Sequence, residues 1–286
     1  MYSIGVGLAD SYSTITKFDN PEGALNNYYE GKRIGEIWGY VTDGFIQDEA
    51  EAQRMATIQG DISKTWKVGD IRYKDLDGVE GITSAKTIYN TGDQKVIGNT
   101  TPRYSFNINA SASWKGFDVR VFFEGIAKRD LWIDSPVFWG FPSNSNVWQS
   151  AVNDYHVDNS WSENNTNAYY PLPSYSGRSK QTQTKYLQNG AYIRLKDLTI
   201  SYTIPKAWIS TVGIEQLKVF ASGQNLWVGT KLFKYLDPDI VSTRQSNSKD
   251  NKLVGNLTSD GKAYPFSRTF SFGINLYCCP LKLKRA

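Results

Sequence analysis

The stretch YSFNINASASWKGFDVRVFFEG, Tyr104 to Gly125, decides the fold. Tyr104, Phe106, Ile108, Ala110, Ala112 and Trp114 fall on one parity, and Ser105, Asn107, Asn109, Ser111 and Ser113 on the other. Strict period-two alternation marks a strand with two unlike faces. Lys115-Gly116 makes a tight turn. Phe117, Val119, Val121 and Phe123 then alternate with Asp118, Arg120 and Glu124, which predicts an antiparallel hairpin. Each arm is about 10 residues, the length a tilted strand needs to cross a bilayer.

The same alternation recurs at Tyr2-Ile4-Val6-Leu8, at Leu198-Ile200-Tyr202-Ile204, at Leu217-Val219-Ala221 and at Phe270-Phe272-Ile274-Leu276. Gly35 to Phe45, GEIWGYVTDGF, adds part of another pair, so roughly six to eight strands are expected. The connections between strands alternate in length. Lys115-Gly116 and Pro205 to Gly213 are short, whereas residues 18–100, 127–185 and 229–265 are long and rich in Gly, Asn, Asp, Ser and Trp. Short turns at one end and long loops at the other are the arrangement of outer-membrane barrels, and a soluble sandwich has no reason to adopt it. Tyr104, Trp114, Phe117, Tyr192, Tyr202 and Trp227 lie near strand ends, where an interfacial girdle would place them.

Composition excludes several function classes. The 286 residues carry 32 Lys+Arg against 28 Asp+Glu, a net charge of +4 spread along the chain, so no nucleic-acid stripe is present. The two cysteines, Cys278 and Cys279, are adjacent and lack metal-ligand spacing. The single histidine, His156, has no motif around it and reads as a polar loop residue. No Gly-rich phosphate loop, nucleophile elbow or metal-binding histidine pair occurs, so no catalytic role is expected. No run of apolar residues is long enough for a membrane helix, a test that half-apolar barrel strands escape. The opening MYSIGVGLADSYS lacks the charged start and unbroken apolar core of an export signal.

Three segments carry more than pattern: QNGAYIRLKDLTISYTIPKAW (Gln188 to Trp208), VFASGQNLW (Val219 to Trp227) and YPFSRTFSFGINL (Tyr264 to Leu276). Upstream, IGEIWGYVTDGFIQDEAEAQ (Ile34 to Gln53), GDIRYKDLDG (Gly69 to Gly78) and VIGNTTPRYSFNINASASWKGFDVRVFFEG (Val96 to Gly125) keep the same order. Together they resemble the C-terminal part of SusC/RagA-type TonB-dependent outer-membrane transporters of the Bacteroidetes, over residues 1–278. The resemblance implies an all-β fold: a partial antiparallel transmembrane β-barrel, the last strands of a 22-stranded one with a plugged lumen. It implies uptake of glycan fragments or peptides with a SusD-like lipoprotein, energy from TonB through a part upstream of this chain, and insertion by the barrel-assembly machinery. Residues 279–286 form an atypical basic tail, with Lys282, Lys284 and Arg285.

These implications set the candidate residues. Ser105, Asn107, Asn109, Ser111 and Ser113 would face the lumen. Phe270, Phe272, Ile274, Leu276 and Cys278 would form the terminal-strand assembly signal, with Cys278 in the slot where the family places an aromatic. The ending CCPLKLKRA then reads as frameshifted or foreign and unfavourable to assembly. The chain taken alone is expected to be a fragment unable to transport, since a partial barrel leaves two open edges. Asp75, Asp77 and Glu80 in DLDGVEGI imitate the start of a calcium loop, but Val79 occupies the fifth position and no glutamate closes the twelfth, so an acidic turn is the favoured reading and no cofactor is required. Trp132, Trp139, Trp148 and Trp161 are the candidates for stacking on a ligand or partner, with loop packing as the plainer account. The competing reading of the whole chain is a soluble all-β carbohydrate-binding module with aromatic loops.

Overall fold

The computed structural model describes residues 1–142, 150–209, 214–240 and 265–278. Strands in chain order are β1 (Tyr2–Ala9), β2 (Glu36–Tyr40), β3 (Thr42–Phe45), β4 (Ile71–Tyr73), β5 (Gln94–Asn99) and β6 (Arg103–Trp114). They continue with β7 (Phe117–Lys128), β8 (Asp130–Leu131), β9 (Gln188–Asn189), β10 (Tyr192–Thr203), β11 (Ile214–Thr230) and β12 (Thr269–Cys278). Six of these build one sheet in the order β1-β6-β7-β10-β11-β12, every neighbour antiparallel. They are the six strands that alternation predicts. The Lys115-Gly116 turn joins β6 to β7, with Lys115 and Gly116 both at positive φ, as a two-residue hairpin requires.

Cross-strand register aligns the two faces over the whole sheet. Asn107 pairs with Gly7 and Glu124, Asn109 with Gly5 and Phe122, and Ser111 with Ser3 and Arg120, so the polar set continues from strand to strand. The opposite parity carries Ile4, Val6, Leu8, Ile108, Val121, Ile200, Val219, Phe272 and Ile274. That apolar face is uncovered: Ile4, Val6 and Leu8 are each more than 70% exposed, and Phe272 is 81% exposed. Burying one such side chain is worth about 1.5–3 kcal/mol. An apolar face of this extent left open in water marks a membrane or partner surface.

The hydrophobic core lies elsewhere. Ile37, Tyr40, Ile46, Met55, Trp66, Ile71, Tyr73, Leu131, Trp132, Phe138, Trp139, Tyr170, Tyr186 and Phe233 pack together, and none of the core cluster belongs to the six sheet strands. All come from the long connections 10–102, 129–191 and 231–268, which thus fold into a domain of their own at one end of the sheet. Within the sheet strands themselves, the most shielded side chains are polar, Arg194 at 2% exposure and Ser201 at 6%. Among the described residues the six-stranded sheet therefore has no apolar core of its own: Ser105, Asn107 and Asn109 are open on one face, and Ile4, Val6, Leu8 and Phe272 on the other.

The short strands belong to this loop domain. β2 pairs with β5 and β3 with β4, so Gly35 to Phe45 adds no strand to the wall, contrary to the sequence expectation. The reason is packing, since Ile37, Tyr40 and Phe45 are drawn into the loop core. Helix α1 (Glu49–Ile58) starts at Asp48, whose carboxylate accepts the Glu51 N–H at 2.7 Å. Gln59 then ties its end to β4, donating to Ile71 O at 3.2 Å and accepting from Tyr73 N at 2.6 Å. Asp70, fully buried, joins the first loop to the second: its carboxylate meets Arg178 Nε at 2.6 Å and Ser179 Oγ at 3.0 Å.

Candidate functional site

Along the polar face the side chains form a charged and hydroxylated lattice. Ser113 Oγ donates to Asp118 at 2.5 Å, and Lys218 Nζ reaches the same carboxylate at 2.6 Å, bridging from β11 across β10 to β7. Two open hollows lie on this face. One of about 520 Å³ is lined by Gly7, Ser105, Asn107, Glu124 and Tyr192, and one of about 430 Å³ by Ser3, Asn109, Ser111, Arg120 and Asp197. A Cβ at Gly7 would stand 2.6 Å from Asn107 Nδ2, so a larger residue there would push the Asn107 amide aside. Four of the five expected polar-face residues, Ser105, Asn107, Asn109 and Ser111, thus line the hollows, and Ser113 holds Asp118.

At the loop end of this face lies an ion-pair cluster. The register of β10 against β7 slips between Leu195 and Asp197. The slip is a β-bulge at Lys196, and such bulges re-aim side chains. Lys196 consequently turns to the side of Arg194 and reaches Glu124 at 2.7 Å and Asp239 at 3.1 Å. Arg194 pairs with Asp237 and, at 2.8 Å, with Asp239. The Phe266 ring covers both cations, 5.4 Å from the Arg194 guanidinium and 4.8 Å from Lys196 Nζ. Tyr192, expected in the aromatic girdle, shares this side instead and hydrogen-bonds Asp239. Both ends of the third long loop are therefore fastened to the wall here.

The described candidate tryptophans do not present stacking surfaces. Trp132, Trp139 and Trp161 are buried in the loop core, and Trp139 packs against Trp132, Phe138 and Tyr186 while its ring N–H donates to Ile133 O at 2.9 Å. Their large rings fill a domain built of long loops, the plainer of the two accounts that the sequence offers for them. Trp148 lies outside the described residues. His156 is also no surface residue: it is buried, its Nε2 is 3.1 Å from Phe138 O, and its Nδ1 is 3.1 Å from Asn153.

The acidic turn is rearranged from its sequence reading. Asp75, Asp77 and Asp93, with no part for Glu80, bring carboxylate oxygens within 4.8 Å of one another. Each is already engaged by backbone N–H groups: Asp75 by Gly78 at 2.7 Å, Asp77 by Val79 at 2.8 Å, and Asp93 by Leu76 at 2.6 Å and Thr83 at 2.8 Å. These bonds account for the cluster as a self-closed turn. Buried Lys180 is satisfied in the same way, donating to Phe141 O, Pro142 O and Ser174 O at 2.7–3.0 Å.

No protein-family model matches the chain. Over 247 residues, 86% of its length, it is 30% identical to TonB-dependent receptor P3 of Formosa agariphila. The chain belongs to the TonB-dependent receptor family. TonB-dependent receptor P26 of the same organism matches over 220 residues at 26% identity, covering 73% of the chain. The chain spans about a fifth of the length of these receptors, 22% and 20%. Among solved structures, the RagAB peptide transporter superposes with a TM-score of 0.58 at 18% identity, covering 96% of this chain and 27% of that one. RagAB in its open-open state gives a TM-score of 0.59 at 19% identity, again over 96% of this chain and 26% of that one. These two likenesses show the fold, so the six strands are a section of a receptor's barrel wall.

Phe270, Phe272, Ile274 and Leu276 occupy the exposed apolar face of β12 in this receptor section. Cys278 is the last residue of that strand, and residues 279–286 lie outside the described residues. Arg194, Lys196, Glu124, Asp237 and Asp239 are the group that sequence inspection misses. One signal was available: in YIRLKDLTISY the apolar parity changes from Ile193 and Leu195 to Leu198 and Ile200, which is the slip of a bulge.

Proposed function

We propose that the chain is the wall-and-loop section of an outer-membrane nutrient importer driven through TonB, with its long loops outside the cell and its polar face lining the lumen. The observation that carries this reading is the displaced core: apolar residues of β1 and β12 lie bare, and the hydrophobic core is confined to the loops. Hydrocarbon supplies the missing cover for the first, and water the solvent for the second. Among the described residues β1 and β12 each have one unpaired edge, and hydrocarbon cannot satisfy such edges. Transport therefore needs further strands on both sides, and the six alone do not form a channel.

The cargo we propose is an oligomer, a peptide or a glycan fragment, handed over by a SusD-like surface lipoprotein. The RagAB peptide importer supports the first class by its fold alone. The lumen wall offers Asn107, Asn109, Arg120 and Glu124 for hydrogen bonds to amide or hydroxyl groups. A strain deleted for the full-length receptor is expected to lose growth on one oligomer class and to regain it with the intact gene. Unchanged growth on every oligomer, with the protein recovered from the aqueous phase, would overturn the reading in favour of a soluble binding module.

A further inference from the structure

The apolar face of the sheet is not evenly filled. Toward the long-loop end, a hollow of about 450 Å³ is lined by Phe106, Ala127, Ile193 and Gly229, with Asn189 and Lys231 where the strands give way to loops. Small residues between large ones create it. Phe106 lies over Gly125, where a Cβ would stand 2.6 Å from its ring, and Trp227 leans on Gly229, where a Cβ would stand 2.7 Å from the indole. On the neighbouring strands Ala127 and Ala191 add little bulk.

Four polar residues line the hollow, and two of them are already engaged: Thr230 Oγ1 donates to Ala191 O at 2.9 Å and accepts from Leu232 N at 3.1 Å, and the Tyr192 hydroxyl hydrogen-bonds Asp239. The other two, Asn189 and Lys231, are donors. Asn189 uses its Oδ1 to accept the Ala191 N–H at 2.9 Å, which leaves its amide NH2 without a partner among the described residues. Lys231 is exposed and likewise has no carboxylate partner among the described residues. A slot with an apolar floor and a cation plus an amide donor at one end matches one chemistry: an acyl chain attached to an anionic headgroup.

We propose that this hollow binds a phosphorylated lipid of the outer leaflet, one acyl chain lying between Phe106 and Ile193 and the phosphate held by Lys231 and Asn189. The charge of Lys231 complements the phosphate, and Trp227, 50% exposed on the same face, sits at the level where an aromatic ring meets headgroups. A peptide or sugar suits the slot poorly, because the hydroxyls of Thr230 and Tyr192 are already paired within the protein and the rest of the floor is apolar. The site rests on the membrane reading above and adds a lipid of defined chemistry to it.

The test uses the full-length receptor extracted into polymer nanodiscs with its native lipids, and counts retained phosphorylated lipid by native mass spectrometry. Gly229→Leu fills the slot, and Lys231→Glu reverses the charge at its end. Both are expected to lower retention, Lys231→Glu by about fivefold, the effect of roughly one lysine at an anionic surface. Heat-modifiable migration confirms that both variants keep a closed barrel. Unchanged retention in both variants would overturn the proposal. Loss in Gly229→Leu with none in Lys231→Glu would also overturn it, because the hollow would then hold any apolar chain without reading the phosphate. Recovery of the wild-type receptor as a water-soluble protein would instead overturn the membrane reading, and the site with it.

Discussion

Arg194 Nε lies 2.8 Å from a carboxylate oxygen of Asp239, and the two side chains are 3% and 9% exposed. Removing one partner of a buried ion pair strands the other's charge and costs about 3–5 kcal/mol. Asp237 also pairs with Arg194, so Arg194→Ala would leave Asp237 without a cation among the described residues, while Asp239 keeps Lys196. The expected result is local: residues 232–240 lose hydrogen-exchange protection while β7 and β10 keep theirs. Asp239→Asn is expected to do less, since Asp237 remains. Equal protection in the wild type and Arg194→Ala would show that the cluster does not hold the loop.

Trp139 tests the loop core. Its ring contacts Trp132, Phe138 and Tyr186, and its N–H is paired with Ile133 O. Trp139→Ala is expected to destabilise the loop domain by about 3–5 kcal/mol. Trp139→Phe keeps much of the area but leaves a buried carbonyl unpaired, and costs about 1–3 kcal/mol. Denaturant unfolding followed by the fluorescence of Trp132 and Trp161 measures both changes.

The same domain should respond to pH in a defined direction. Burial pushes the pKa of Lys180 and that of Lys185 down from 10.5 to about 8. The folded chain then binds fewer protons than the unfolded one between about pH 8 and pH 10.5, so stability rises with pH through that window. Above about pH 10 buried Tyr170 and Tyr186 act the other way, because burial raises their pKa and only the unfolded chain releases their protons. The unfolding midpoint of the loop domain is expected to climb from about pH 8 to a maximum near pH 10. Lys180→Met with Lys185→Met should flatten the climb, whatever it does to absolute stability.

Faces of the wall should differ in tolerance. Val6→Arg places a charge on the apolar face and is expected to cost about 2–4 kcal/mol near the bilayer midplane. Asn109→Arg, on the hollow-lined polar face, should cost far less. Heat-modifiable migration of the full-length receptor after refolding compares the two. Equal damage would mean that the faces are not solvated differently.

Much of the wall was legible because a sheet between two unlike solvents writes itself as alternation. Tyr104 to Trp114 alone gives the strand, its faces and, with Lys115-Gly116, its partner. The loop domain was not legible for the opposite reason. Its core residues Ile37, Trp132, Phe138 and Tyr186 meet from separate loops and show no common period, so Trp139 could be named as a ligand platform even with loop packing as the plainer account. Gly35 to Phe45 looked like wall because it does form strands, but Ile37, Tyr40 and Phe45 turn into the loop core. Tyr192 was assigned to the girdle, and the carboxylates Asp237 and Asp239 went unseen, because the grouping with Arg194 and Lys196 depends on the bulge at Lys196, a one-residue slip that alternation counted strand by strand passes over.

The central claim is that one parity of β6 meets lipid and the other meets water. Nitroxide labels placed one at a time on Asn107 through Ala112 of the full-length receptor in bilayers measure this directly, through relaxation by oxygen against a water-soluble nickel chelate. The account predicts alternation of period two, with oxygen dominant at Ile108, Ala110 and Ala112 and the chelate dominant at Asn107, Asn109 and Ser111. Access to the chelate at all six positions would contradict it.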